Sequence, residues 1–281
     1  LKPTLQEFDE VLQLLAREAS PTGDATIVPW IRNSISAAGV KLRALQFISK
    51  HASPDSHPTL LDLGAQIGSL TLYASRLGVK SAAVDLPYFA DTYATISQKH
   101  GVDYRPCDLS TSPLPFPELS FDYVTYLDVI EHHAHSPKRV LAEIRRVLKP
   151  QGCLIVSTPN QASIYNRVKL LGGGTVSDPF DYFFETAAQD TPYPGHHREY
   201  VRSELRYALM ASGFHVLESQ VIDDDFAPTL WHVKISSNDS MLRKLWQYKM
   251  HLGATAAGHF WPFFRLPFGR VLWFVAEKNQ A

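Results

Sequence analysis

The sequence has very little cysteine: two residues in 281, Cys107 and Cys153. Both lie in apolar, strand-like surroundings. That excludes a disulfide framework or a cysteine-ligated zinc site and points to a reducing compartment. It also lacks an excess of charge of either sign. Twenty-seven Lys and Arg against 28 Asp and Glu leave a net charge of −1. Without a basic face to meet a phosphate backbone, bulk nucleic-acid binding is excluded. Long hydrophobic runs are missing too. The most apolar stretch, Phe260 to Ala276, is broken by Pro262, Arg265, Pro267, Gly269 and Arg270, so no transmembrane segment is expected. The N-terminal LKPTLQEFDEVLQLLAREAS is amphipathic with early acids, unlike a secretory leader. The expectation is a soluble, cytoplasmic protein, and assembly into a homo-oligomer is compatible with the composition.

The pattern that is present alternates strands and helices. Apolar residues at helical spacing predict helices over residues 5–18 and 35–50, with Leu42, Leu45 and Ile48 on one face. The polar stretch from His51 to Thr59 reads as a linker. Short apolar runs at Thr59–Leu63, Ser81–Asp85, Phe121–Leu127 and Cys153–Ser157 predict strands. Helical segments over Leu70–Leu77, Tyr93–His100 and Pro137–Leu148 separate them. Such alternation predicts βαβ units and a parallel sheet covered on both faces. After Pro159 the regularity stops. Arg202–Ser212 is helical with Gly213 at its end, Phe214–Ile222 is a strand, residues 238–252 are helical, and Arg270–Lys278 is the last strand. The expected organisation is one domain over residues 1–281. It has a helical N-terminal segment (1–58), a lid or acceptor insertion (160–200) and a second insertion (226–268).

The sharpest motif is LLDLGAQIGS, residues 60–69, a strand, a tight glycine turn and a helix start. Gly64 permits the turn and close approach of a ligand to the backbone, and Gly68 opens the helix without a side chain in the way. Asp85 ends the next strand 23 positions after Asp62. There a carboxylate can accept both hydroxyls of a ribose. The spacing is Gly-x-x-x-Gly, with Gln66 where a dinucleotide site carries its middle glycine. Asp62 would repel a pyrophosphate but can shape a loop around an amino-acid moiety. S-adenosylmethionine (SAM) is therefore favoured over NAD.

Five segments in order resemble the class I SAM-dependent methyltransferases: DLGAQIGSLTLYA, AAVDL, PCDLS, FDYVTYLDVIEHH and LKPQGCLIVSTPN. GHHREYVRSELRYALMASGF resembles a segment of small-molecule members. The resemblance covers about Thr59 to Asn160 well and His196 to Phe214 loosely. Gln66 departs from the usual glycine and would tighten the pocket. The implied fold is α/β: a doubly wound, Rossmann-like methyltransferase sheet, mostly parallel with an antiparallel last strand and helices on both faces. The implied cofactor residues are Asp62, Gly64, Ala65, Gly68, Asp85, Leu86, Asp108, Leu109 and Asp128; Asp108 either lies beside the adenine amine or reads as a solvated loop acid or a helix cap.

Methyl transfer is an in-line displacement that depends first on alignment. An alcohol acceptor must also lose its proton. Asp128, Glu131, His132, His133 and His135 follow the fourth strand, and two readings of them compete. His132 or His133 serves as general base. Alternatively Asp128, Glu131 and His132, at i, i+3 and i+4, hold Mg²⁺ or another divalent cation. A similar acid-x-x-Glu-His pattern occurs in metal-dependent quinone O-methyltransferases. His196 to Tyr200 follows an aromatic loop containing Tyr182, Phe183, Phe184 and Tyr193; these residues either face the acceptor from the lid side, or Arg198 and Glu199 form an ion pair that anchors the lid. The expected function is SAM-dependent O-methylation of a small hydroxylated acceptor, preferably a saccharide or natural-product scaffold. The alternatives are a metal-dependent quinone or phenol O-methyltransferase and a non-catalytic SAM- or protein-binding module.

Overall fold

The computed structural model describes residues 2–19, 27–53, 57–186, 193–222 and 269–279. The chain opens with three helices, α1 (Leu5–Ala19), α2 (Ile27–Ser36) and α3 (Ala38–His51). Then β1 (Thr59–Leu63), α4 (Ser69–Arg76), β2 (Lys80–Asp85), α5 (Pro87–Lys99), β3 (Asp103–Pro106), β4 (Phe121–Leu127), α6 (Lys138–Val147) and β5 (Leu148–Pro159) build the alternating half of the sheet. Two short helices follow, α7 (Ile164–Leu171) and α8 (Phe180–Thr186), before α9 (Arg202–Ala211), β6 (Phe214–Ile222) and β7 (Val271–Lys278).

The seven strands pair in the order β3-β2-β1-β4-β5-β7-β6. The first five are parallel, and β7 runs antiparallel to both β5 and β6. Side chains alternate across the sheet, so each strand feeds two cores. Leu60, Tyr123, Ile155 and Trp273 pack under α1, α3, α4 and α5. Leu61, Val124, Val156 and Phe274 pack under α6 and α9. The expected doubly wound sheet with an antiparallel last strand is what forms. Its strand order reverses beside β1, which opens a crevice at the carboxyl ends of β1, β2 and β4.

Several boundaries differ from the sequence reading. The helix expected over 35–50 is two helices, parted at Ala37, and α2 begins eight positions earlier. The strand expected at Cys153–Ser157 extends back to Leu148 across a bulge opposite Phe121 and Tyr123. The region after Pro159 is not wholly irregular: Ser163 caps α7 by accepting from the Asn166 amide at 3.2 Å. The helix expected over 238–252, and the whole of the second insertion (226–268), lie outside the described residues. Among the described residues no helix is long and apolar enough to cross a membrane.

Candidate active site

The glycine turn after β1 is held from three sides. Gly64 and Ala65 donate their amides to the Val84 carbonyl at 2.9 and 3.1 Å. Gly64 adopts φ +73°, and a Cβ there would lie 2.5 Å from Val129 Cγ2; the residue type follows from both facts. Gln66, at φ +51°, is fixed at both ends of its peptide. Its N–H donates to Asp85 Oδ2 at 2.6 Å, and its carbonyl accepts from Tyr104 Oη at 2.6 Å. Asp85 Oδ1 accepts from the Leu86 amide at 2.7 Å. Both oxygens are thus already engaged with the loop, each keeping a lone pair for a ligand hydroxyl. Burial raises the Asp85 pKa, against the two amide donors. The exposed Leu86 and half-buried Leu109 flank the crevice.

Asp62 lies beneath the turn, buried, and accepts from Thr125 Oγ1 at 2.7 Å. Burial pushes its pKa up to about 6, against the pull of the Thr125 hydroxyl and the Lys41 ammonium. Lys41, from α3, places Nζ 3.3 Å from Ser34 Oγ and 3.0 Å from Ser69 Oγ. Burial lowers its pKa, opposed by Asp62 and Asp128. This lysine was invisible to motif reading, because nothing in its local sequence distinguishes it from a solvated helix residue. Tyr104, Thr125 and Ser157 were missed for the same reason.

Asp108 is occupied locally. Its carboxylate accepts from the Ser110 amide at 2.8 Å and the Thr111 hydroxyl at 2.9 Å, which holds the turn of its own loop.

Past β4 the structure separates residues that the sequence groups together. Asp128 is left-handed, φ +53°, and its carboxylate turns to Ser157, whose hydroxyl donates at 2.9 Å. Burial raises its pKa, with Ser157, Lys41 and His196 opposing. His133 points away from His132. Its Nδ1 lies 3.2 Å from Ser110 Oγ and its ring packs 5.9 Å from Tyr126. The two adjacent histidines thus take different partners at the end of a single 3₁₀ turn (Ile130–His132). His135 is exposed.

His132 Nδ1 lies 3.1 Å from the Gly195 carbonyl and 3.2 Å from that of Pro194. Carbonyls only accept, so Nδ1 carries the proton and Nε2 the lone pair. Burial and the neighbouring His196 lower the His132 pKa. Glu131 is buried. Its Oε2 accepts from Thr158 Oγ1 at 2.9 Å, and Oε1 has no partner. Burial and Asp128 push its pKa up to about 8. The backbone carbonyl of Glu131 accepts from the amides of His197 and Arg198 at 2.8 and 3.2 Å. That binds the GHHREY segment against the end of β4 and brings His196 beside Glu131 and His132. Burial lowers the His196 pKa, but the Glu199, Glu131 and Asp178 carboxylates outweigh it and the net shift is upward. The expected ion pair Arg198–Glu199 is not formed. Arg198 instead bonds Glu204 at 2.6 Å, and Glu199 faces His196.

The metal set expected as Asp128, Glu131 and His132 does not converge. Among the described residues the group that does is Glu131, His132 and His196, one ligand atom each, all within 4.8 Å of one another.

Comparison with known proteins agrees with this geometry. Residues 61–156 match the methyltransferase-domain family. The chain is 32% identical over 121 residues to a ubiquinone biosynthesis O-methyltransferase of Nitrosococcus oceani, 42% of this chain and 50% of that protein. It is 31% identical over 140 residues to a probable S-adenosylmethionine-dependent methyltransferase of Mycolicibacterium smegmatis, 49% of this chain and 45% of that one. It thus spans about half the length of these curated relatives. In fold it resembles an S-adenosylmethionine-dependent methyltransferase of Mesorhizobium loti, TM-score 0.54 at 15% identity, over 85% of this chain and 97% of that chain. A chain from the complex of the Haloferax volcanii Trm112 methyltransferase activator matches at TM-score 0.58 and 17% identity, over 95% and 98% of the two chains. Residues 61–156, with the Asp62–Gly64–Asp85 turn at their head, form a methyltransferase domain of the class I SAM-dependent superfamily.

Proposed function

We propose that the protein transfers a methyl group from SAM to a hydroxyl of a small molecule. The observation that carries this reading is the turn after β1, where Gly64, Gln66 and Asp85 are locked together at a bare backbone. The residues fit the cofactor. A Cβ is excluded at Gly64, Asp85 keeps two lone pairs for a ribose, and the buried Lys41 is a cation beside the turn that suits a carboxylate. The bound cofactor supplies an electrophilic methyl on a sulfonium. The acceptor oxygen forms the new bond to that carbon, the carbon–sulfur bond breaks, and its electron pair stays on sulfur. The hydroxyl proton leaves toward the cluster past β4, where His132 Nε2 holds a lone pair in reach of solvent. A His132→Ala variant is then expected to lose on the order of 10²–10⁴-fold in turnover, with SAM affinity nearly unchanged.

The acceptor is preferably a saccharide or similarly hydroxylated scaffold. A pocket of about 240 Å³ adjoins His196 and is lined by Gln161, Ser177, His197 and Glu199 among others. Glu199 Oε2 is buried without a partner, an acceptor suited to hydroxyl donors. A second reading, a quinone or phenol acceptor, is favoured by the exposed Phe180, Phe183 and Phe184 of α8 and by the similarity to the Nitrosococcus oceani ubiquinone biosynthesis O-methyltransferase. Labelled SAM offered with a panel of glycosides and a panel of catechols decides between them. Methyl transfer to phenols alone would overturn the saccharide preference. SAM binding without transfer to any acceptor would leave a cofactor-binding module.

A further inference from the structure

We infer that the acceptor carries a protonated amine beside the hydroxyl to be methylated, and that Glu199 holds this amine in the cavity next to His196. The substrate class is then an amino sugar or a similarly aminated polyol. For the reaction this rests on the methyl-transfer reading; for the binding of the amine it does not.

The first observation is an excess of negative charge around one ring. Glu199 Oε1 and Asp178 Oδ1 lie 3.4 and 3.9 Å from His196 Nδ1. Glu131 brings a carboxylate oxygen within 4.8 Å of a His196 ring nitrogen, and Asp128 attracts the same ring. Lys41 offsets Asp128. The rest face a single imidazolium. Burial and the charge of Asp128 push the Glu131 pKa up to about 8, so near neutrality this crowding already costs one group its charge. The second observation is two orphaned oxygens. Glu131 is 1% exposed, and its Oε1 and Glu199 Oε2 are buried with no hydrogen-bond partner among the described residues. A buried carboxylate oxygen left alone is costly, and a donor that brings positive charge removes the cost. The chain's own candidate is diverted. Arg198 lines the same cavity as Glu199, but its guanidinium bonds Glu204 Oε1 at 2.6 Å and lies over the Tyr200 ring.

The third observation is the cavity itself. At about 240 Å³ it has room for one ring and not for an extended chain, and Val176 is the one apolar residue among the described residues that line it. An ammonium is all donor, with three N–H groups and no acceptor. Glu199 takes one of them, and Gln161 and Ser177 on the same walls carry neutral acceptors for the others. His197 Nε2 lies 2.8 Å from the Tyr193 carbonyl, so it carries the proton and leaves the Nδ1 lone pair as a further acceptor. The His132 ring packs on His196 with centroids 4.9 Å apart, which puts the base beside the cavity with its Nε2 lone pair free. Held as an ammonium, the amine has no lone pair and cannot attack the methyl group. A hydroxyl of the same ring attacks instead: its oxygen bonds the methyl carbon, and its proton passes to His132 Nε2.

The test uses the full chain and methyl glucosides aminated in turn at each hydroxyl position, each paired with its N-acetyl and its hydroxyl counterpart. Binding is measured by calorimetry on the chain loaded with S-adenosylhomocysteine, so that nothing turns over. Transfer is measured with labelled SAM, and the methylated atom is identified by NMR. At least one amine should bind roughly 30-fold or more tightly than both of its counterparts, and its methyl group should arrive on oxygen. Glu199→Gln should remove that preference while keeping SAM affinity, which shows that the variant is folded, and Glu199→Asp should restore part of it. The matched acceptors on the unaltered chain carry the test even where a variant does not fold. The inference is overturned if neutral glycosides bind as well as every amine, if Glu199→Gln keeps the preference, or if the methyl group arrives on nitrogen. Transfer to neutral glycosides alone overturns the ammonium site and leaves the methyl-transfer reading standing. An amine that binds through Glu199 with no transfer to any acceptor does the reverse.

Discussion

The carboxylate of Asp85 accepts from the Gln66 amide at 2.6 Å, while Tyr104 donates to the Gln66 carbonyl at the same distance. One peptide of the glycine turn is thus clamped between β2 and β3. Asp85 holds the loop as well as offering lone pairs to a ribose. Asp85→Ala is therefore expected to lose more than one ribose contact, roughly 1.5–3 kcal/mol for a hydrogen bond to a charged group. Tyr104→Phe removes only the clamp and should cost about 0.5–1.5 kcal/mol in SAM affinity. Calorimetry with SAM separates the two. If Tyr104→Phe binds SAM as tightly as the unaltered chain, the clamp is not part of the site.

Gly64 and Val129 make a testable pair. A methyl group at Gly64 would sit 2.5 Å from Val129 Cγ2, at φ +73°. Gly64→Ala is expected to destabilise the fold by about 2–4 kcal/mol, combining left-handed strain with overpacking. Adding Val129→Ala should recover the overpacking part and leave the strain of about 1–2 kcal/mol. Urea denaturation of the two single variants and the double variant reads this directly. Strict additivity would mean that the two side chains do not meet.

These residues also show where the sequence was legible. The turn was readable because glycine spacing and a strand-terminal acid are local signals, and both reflect backbone geometry. The edge strand β3 was missed as a strand because of its residues only Tyr104 is buried, so no apolar run marks it. Helix α7 was missed because it buries nothing, and hydrophobic periodicity reports burial, not helicity. His132 and His133 looked equivalent in sequence because their divergence is decided by Ser110 and Gly195, which only the fold brings near. His196 joined the site through the bonds of His197 and Arg198 to the Glu131 carbonyl, a contact no spacing rule contains.

Asp62 should make stability fall as pH rises. Its pKa is lifted from 3.8 to about 6, chiefly by burial, so the folded state holds the proton more tightly than the unfolded chain. Between about pH 4 and 6 folding therefore loses stability with rising pH, by on the order of 3 kcal/mol at about 1.4 kcal/mol per pH unit. Asp62→Asn keeps an acceptor for Thr125 without the charge. The variant and the unaltered chain are expected to match near pH 4, with the variant the more stable above pH 7. Denaturant midpoints at pH 4.5 and 7.5 check this. A gap that does not widen with pH would show that Lys41 fully compensates the buried carboxylate.

The segment that carries α8 is tied to the cluster past β4 through the Asp178 carboxylate. Asp178 Oδ2 accepts from Tyr193 Oη at 2.6 Å and from the His196 amide at 2.8 Å. The backbone beside it must stay bare, since a Cβ on Gly195 would fall 2.3 Å from that oxygen. Tyr193 in turn packs on Tyr182 and Phe183 of α8 at 5.8 and 5.1 Å. Removing the carboxylate leaves the His196 amide and the Tyr193 hydroxyl without their acceptor, and loosens the Tyr193 ring against which α8 packs. Asp178→Ala is expected to speed amide exchange across residues 174–186 and 193–197 and to lower turnover. SAM affinity should stay close to that of the unaltered chain, because none of these residues reaches the turn after β1. Hydrogen exchange with SAM alone, and with SAM plus acceptor, provides the measurement. In the unaltered chain the acceptor should slow exchange across residues 174–186, and in Asp178→Ala that slowing should shrink. Equal exchange in every state of both proteins would make this segment a fixed wall of the acceptor pocket, and Asp178 a plain structural brace.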